Sequence, residues 1–105
     1  MEEKSIVMTT TENIEQATKI IDVVLNKKLA ACVQTREIES HYVWEGKTCH
    51  DKEVLIWFKT EKRLITELEH LIKDYHPYEV PEIISIPIEY ASNDYGAWMH
   101  DNLKK

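Results

Sequence analysis

Two stretches of helical periodicity, each entered and left by strand-like runs, limit the folds open to this chain. Between Asn13 and Lys28 the apolar residues Ile14, Ala17, Ile20, Ile21, Val24 and Leu25 recur at intervals that make one face of a helix. Leu64, Ile65, Leu68, Leu71, Ile72 and Tyr75 repeat the pattern, with Arg63, Glu67, Lys73 and Asp74 outside it. Thr11 or Asn13 can cap the first helix. Gln16, three residues after Asn13, stands in the capping-box position, and Lys27 and Lys28 suit the negative end of the helix dipole.

Around these helices the pattern is β-like. Ser5 to Thr10 reads as a short buried strand. Leu29 to Trp44 is β-rich, with alternation at Ile38, Tyr42 and Trp44, and Glu45-Gly46-Lys47 supplies a turn where glycine can take positive φ. Thr48 to Thr60 returns as the second strand of a long hairpin. Ile83 to Ile88 is the last strand, and Pro87 near its end marks an edge position or a bulge. Ser92 or Asn93 can cap a short final helix carrying Tyr95, Trp98 and Met99. The order β-α-β-β-α-β plus a C-terminal helix predicts an α+β, ferredoxin-like fold forming one domain over residues 1–105.

In that fold both long helices pack on one face of an antiparallel sheet. Leu55 and Trp57 project opposite to Val54, Ile56 and Phe58, so the face without helices also carries large apolar groups. Soluble monomers avoid such exposed patches, and burial against copies of itself in a closed oligomer is expected.

A formal charge of -6 argues against a nucleic-acid partner, which needs a concentrated basic face. No run of about 18 apolar residues is present to span a membrane. Met1-Glu2-Glu3-Lys4 lacks the basic start of a signal peptide, and the two cysteines, Cys32 and Cys49, form no disulfide framework. Reduced thiols in a cytoplasm are therefore expected. G-x-S-x-G, P-loop and H-E-x-x-H motifs are missing, and Thr9 to Asn13 has neither the Arg nor the Gly of an acylphosphatase loop on this fold. No enzymatic activity is expected.

His76-Pro77-Tyr78-Glu79-Val80-Pro81-Glu82 joins the second helix to the last strand. Each proline fixes its own φ and biases the residue before it toward extended backbone, so His76 and Val80 should be extended and the connector stiff. It either aims His76, Tyr78 and Glu79 at a site or is a plain connection with a snorkelling tyrosine. Cys32, at the start of a predicted inner strand, favours core packing over metal binding. Cys49-His50-Asp51 combines three ligand types, but strand neighbours point to opposite faces and cannot converge on one ion without a bulge, which favours adventitious surface binding. His41, His70 and His100 read as surface histidines.

Leu29-Ala30-Ala31-Cys32-Val33, Ser40-His41-Tyr42-Val43-Trp44-Glu45-Gly46-Lys47, Phe58-Lys59-Thr60, the His76 to Ile84 segment and Tyr95-Gly96-Ala97-Trp98 together resemble the CutA divalent-cation tolerance family. The resemblance runs in order from about Ser5 to Trp98. It implies a homotrimer, PII-like in assembly, with a role in tolerance of copper and other divalent metals. Copper-binding members place ligands at positions that match Met8 and the pair Tyr75-His76, so only His76 keeps the usual ligand type. Lys59, Tyr78, Glu79 and Cys32 become candidates for an intersubunit pocket, although Lys59 and Glu79 could instead pair with each other. The expectation is a cytoplasmic homotrimer binding Cu(II), another divalent cation or a small ligand near its intersubunit clefts. The alternative is a non-enzymatic trimeric scaffold with a PII-like signalling role and an unidentified protein partner.

Overall fold

A computed structural model describes residues 2–105. Its elements follow in the order β1 (Lys4–Thr11), α1 (Ile14–Asn26), β2 (Cys32–Trp44), β3 (Lys47–Glu61), a 3-10 turn (Lys62–Leu64), α2 (Ile65–Tyr75), β4 (Ile84–Ile88) and α3 (Asn93–Asp101). The strands form one antiparallel sheet in the order β2-β3-β1-β4. This is the predicted α+β topology. Pro87 lies in β4, an edge strand, where a missing N–H costs no ladder bond.

Directly opposed residues of antiparallel strands share a face, so the register sorts the side chains. Val7, Thr9, Phe58 and Ile56 point to the helix face and are fully buried, packed with Ala17, Ile20 and Val24 of α1 and Leu68 and Ile72 of α2. The other face, called open here, carries Ile6, Met8, Leu55, Trp57, Ile84 and Ile86. Trp57 remains 37% exposed and Ile86 46%, with Ile84 similarly open. The expected uncovered apolar face is present.

Asn13 caps α1, its Oδ1 accepting from the Gln16 N–H at 2.9 Å, while Gln16 Oε1 accepts from the Glu12 N–H at 3.0 Å. Asn13→Ala should cost about 1 kcal/mol in urea unfolding, and Asn13→Gly only a few tenths. Equal losses for the two would mean that something other than the cap is being removed. The apolar stripe of α1 is narrower than its sequence pattern. Ala17, Ile20 and Val24 are buried, but Ile14 and Leu25 sit at the stripe's margin and are exposed. Tyr75, placed by periodicity on the buried face of α2, closes that helix and is 52% exposed.

Trp44 pairs with Lys47 across a two-residue turn in which Glu45 and Gly46 both have positive φ, at 50° and 76°. That is the turn geometry whose twist matches a hairpin. The register fixed there has a second consequence. β1 pairs with β3 only from Val54 to Glu61, so Lys47 to Glu53 have β2 as their sole neighbour. This two-stranded arm helps make the molecule 45 Å long against 25 and 21 Å in the other directions.

Candidate functional site

The proline connector meets the base of the arm. His76 caps the end of α2 in extended backbone, as its following proline requires. Its Nε2 lies 2.6 Å from the Thr10 carbonyl, and its Nδ1 accepts from the Tyr78 N–H at 3.1 Å. A carbonyl only accepts, so Nε2 carries the proton and neither ring nitrogen has a free lone pair. The Tyr78 ring packs beside the imidazole at 4.6 Å and its hydroxyl donates to Glu53 Oε2 at 2.8 Å. His76 thus pins the connector to β1, and Tyr78 pins it to the arm.

Between these elements lies a cleft of about 810 Å³, lined among others by Tyr42, Trp44, Tyr78 and Val80. Its charge is one-sided: Glu12, Asp51, Glu53, Glu79 and Glu82 line it, with Lys52 as the one lysine. The Tyr42 hydroxyl donates to Asp51. That bond, reinforced by burial and the Asp51 charge, pushes the phenol up to about 12. Tyr78 is pushed higher still by burial, the Glu53 hydrogen bond and the Glu53 charge. Both tyrosines are therefore donors at neutral pH. Burial chiefly, and then the Glu53 charge, raises the Glu82 carboxyl.

The positions singled out from the sequence divide between two regions. Tyr78 and Glu79 line the cleft, whereas Lys59 and Cys32 do not. Lys59 donates to the Tyr95 hydroxyl at 3.2 Å and stands 5.2 Å from that ring's centre. It lies about 20 Å along β3 from Glu53, so the suggested Lys59–Glu79 pairing does not occur. Cys32 pairs with Lys59 across the ladder and is half-buried on β2, an edge strand and not the inner strand expected. In this topology β3 and β1 take the centre.

Met8, Tyr75 and His76 do not fit a copper centre as they stand. His76 has both nitrogens engaged, and among the described residues no three His, Cys, Asp or Glu side chains converge in metal-binding geometry. Cys49, His50 and Asp51 behave as strand alternation requires. Asp51 turns to Tyr42 on the open face, and His50 turns to Glu39 on the other. Asp51, Glu53 and Tyr42 are the site residues that sequence reasoning missed. The signal was the hairpin register, which places Asp51 opposite Ser40 and Cys49 opposite Tyr42 on one face.

A family model described as CutA1 divalent ion tolerance protein matches residues 5–102. The divalent-cation tolerance protein CutA of Pyrococcus horikoshii is 42% identical over 100 residues, covering 95% of this chain and 98% of that protein. Protein CutA of Mus musculus is 40% identical over 87% of this chain, which spans only 52% of that protein's length. Among solved structures, CutA1 from Oryza sativa superimposes with a TM-score of 0.95 at 34% identity, covering 99% of this chain and 96% of the other. The periplasmic divalent cation tolerance protein CutA from Archaeoglobus fulgidus gives 0.94 at 32% identity, covering 96% and 99%.

Proposed function

This chain belongs to the CutA1 divalent ion tolerance family, and we propose that it serves divalent-cation tolerance as a cytoplasmic homotrimer. In this reading neighbouring subunits close the acidic cleft around a cation or a small ligand. The observation that carries it is the placement of the cleft. Asp51 and Glu53 share the open face with Leu55 and Trp57, so a subunit covering the apolar patch also arrives beside the carboxylates. A single protomer gathers negative charge there without a finished ligand set. Groups from a neighbour would complete it. Five carboxylates suit divalent cations held partly through water, and Tyr42 and Tyr78 keep two of them oriented. The proposed role is tolerance and not catalysis. The cytoplasmic placement rests on the two free thiols, Cys32 and Cys49.

Light scattering at micromolar concentration, together with Mn(II), Zn(II) and Cu(II) titrations of the tag-free chain, tests this reading. A trimer mass and saturable binding are expected, weakened about tenfold or more in Glu53→Gln/Glu79→Gln. A monomer, or binding indifferent to both carboxylates, would overturn it. The engaged ring of His76 favours a second reading, a trimeric scaffold with a PII-like signalling role and a protein partner. That reading predicts weak, non-saturating cation binding.

A further inference from the structure

The turn at Glu45 and Gly46 sets a register that places two histidines, nine residues apart in sequence, directly opposite each other on the arm. His41 and His50 stack with ring centres 4.1 Å apart and planes 11° from parallel. Both are exposed, and by strand alternation they lie on the face of the ribbon opposite Tyr42, Asp51 and Glu53. Glu39, also exposed, lies on the same side, its Oε1 2.8 Å from His50 Nε2. A carboxylate only accepts, so Nε2 carries the proton and Nδ1 of His50 keeps its lone pair for a ligand.

We infer that His41 and His50 form a surface site for a borderline divalent transition cation, with Glu39 as the positioning residue. The chemistry is that of a histidine pair backed by a carboxylate. The carboxylate fixes the tautomer, orients the ring and makes the free nitrogen more basic. Imidazole nitrogens suit Cu(II), Zn(II) and Ni(II) over Mg(II) and Ca(II), which prefer oxygen. An ion bound at about 2.0–2.1 Å from each of two nitrogens holds them about 3 Å apart. The rings are 4.1 Å apart at rest. That separation is between ring centres, and in near-parallel rings the in-plane lone pairs do not converge, so binding turns both solvent-facing side chains out of the stack toward one point, while the paired strands keep their Cβ atoms within about 5.5 Å. Among the described residues no three ligand-type groups already converge, so binding draws the rings together and water fills the remaining positions.

This site differs from the cleft in its nitrogen ligands, although His41 also belongs to the cleft lining. The test is calorimetric titration of the full chain with Zn(II) and Ni(II), and Cu(II) followed by its visible absorption and paramagnetic resonance. Each uses wild type, His41→Asn, His50→Asn, Glu39→Gln, His70→Asn and His76→Ala, with Mg(II) as a control. A nitrogen-ligated ion is expected at this pair in addition to any held by the cleft carboxylates, its affinity weakened at least about tenfold by His41→Asn or His50→Asn and several-fold by Glu39→Gln. His70, exposed on α2, serves as the comparison surface histidine, and its variant should leave the affinity unchanged. Equal loss in His70→Asn, loss confined to His76→Ala, or undiminished binding in His50→Asn would each overturn the assignment. A result in which Glu53→Gln/Glu79→Gln abolishes all binding and His50→Asn none would also overturn it, while leaving the cleft reading intact.

Discussion

Trp57→Glu is expected to turn the proposed trimer into a monomer, raising the dissociation constant of each interface by about 100-fold or more. Trp57 stands on the open face beside Leu55 and across β1 from Ile84 and Ile86, none of them covered by a helix. Tyr95 and Trp98 of α3, stacked at 5.5 Å, extend the apolar area, and Lys59 ties Tyr95 to β3. A tryptophan half-sunk in such a surface is the residue type most often found at the energetic centre of an interface. Glutamate removes that area and also brings an unpaired charge into it. Both effects oppose association, and an isolated buried charge costs far more than the lost contact alone. Because the residue is partly solvated in the protomer, the fold should survive the change, which circular dichroism would verify. Ile14→Glu is the control. Ile14 is 50% exposed, more than Trp57 at 37%, yet it lies on α1 at the margin of the opposite layer. Light scattering should therefore show monomer for the first variant and an unchanged mass for the second. An intact oligomer in Trp57→Glu would mean that the open face is covered by something other than a second copy of this chain.

What could be read from the sequence were the features set by local periodicity. Two amphipathic helices, a glycine turn at Glu45-Gly46-Lys47 and a proline that allows an edge or a bulge in the last strand point to the sheet, because each acts within a few residues. Site features that depend on register were harder to see. Along the strand Asp51 neighbours Cys49 and His50, whereas its hydrogen-bond partner is Tyr42, across the hairpin. The His41–His50 stack depends on the same cross-strand register, which the turn sets but no local pattern displays. Opposite charge suggests Glu79 as a partner for Lys59, but its contact is with Tyr95, placed there only once α3 docks. Hardest of all was Glu61. Nothing in Lys59-Thr60-Glu61-Lys62-Arg63 distinguishes a buried carboxylate from a solvated run of charges.

Glu61→Gln should cost about 3 kcal/mol of stability, the lower end of what breaking a buried ion cluster costs. The side chain is fully buried at the end of β3. Oε1 accepts from Arg63 Nε at 2.9 Å, Oε2 lies 2.8 Å from His100 Nδ1 of α3, and Lys4 Nζ is 3.9 Å away. Burial alone would push this carboxyl up. The hydrogen bonds from His100 and Arg63, with their charges, outweigh burial and hold it below the usual carboxylate value. The direction of that shift decides the sign of the cluster, since surroundings that favour the ionised acid make its ionisation stabilising. Linkage then fixes the pH window. The contribution is fully present above the unfolded glutamate value of about 4.3 and is lost as pH falls through the lower folded value. Wild type should therefore lose stability on acidification below about pH 4.3 more steeply than Glu61→Gln. The substitution should also loosen α3, because His100 is one of the polar ties holding it over β3. Arg63, which donates to the Lys104 carbonyl at 2.7 Å, anchors the tail beyond it. Met99 and Leu103, buried beneath that helix and its tail, would gain hydrogen-exchange access before the central strands do. His100→Asn should cost less, since its side chain is 45% exposed, and the two substitutions together should cost less than their sum. Strict additivity in denaturant unfolding, or an acid limb identical in wild type and Glu61→Gln, would show that the cluster only offsets its own desolvation.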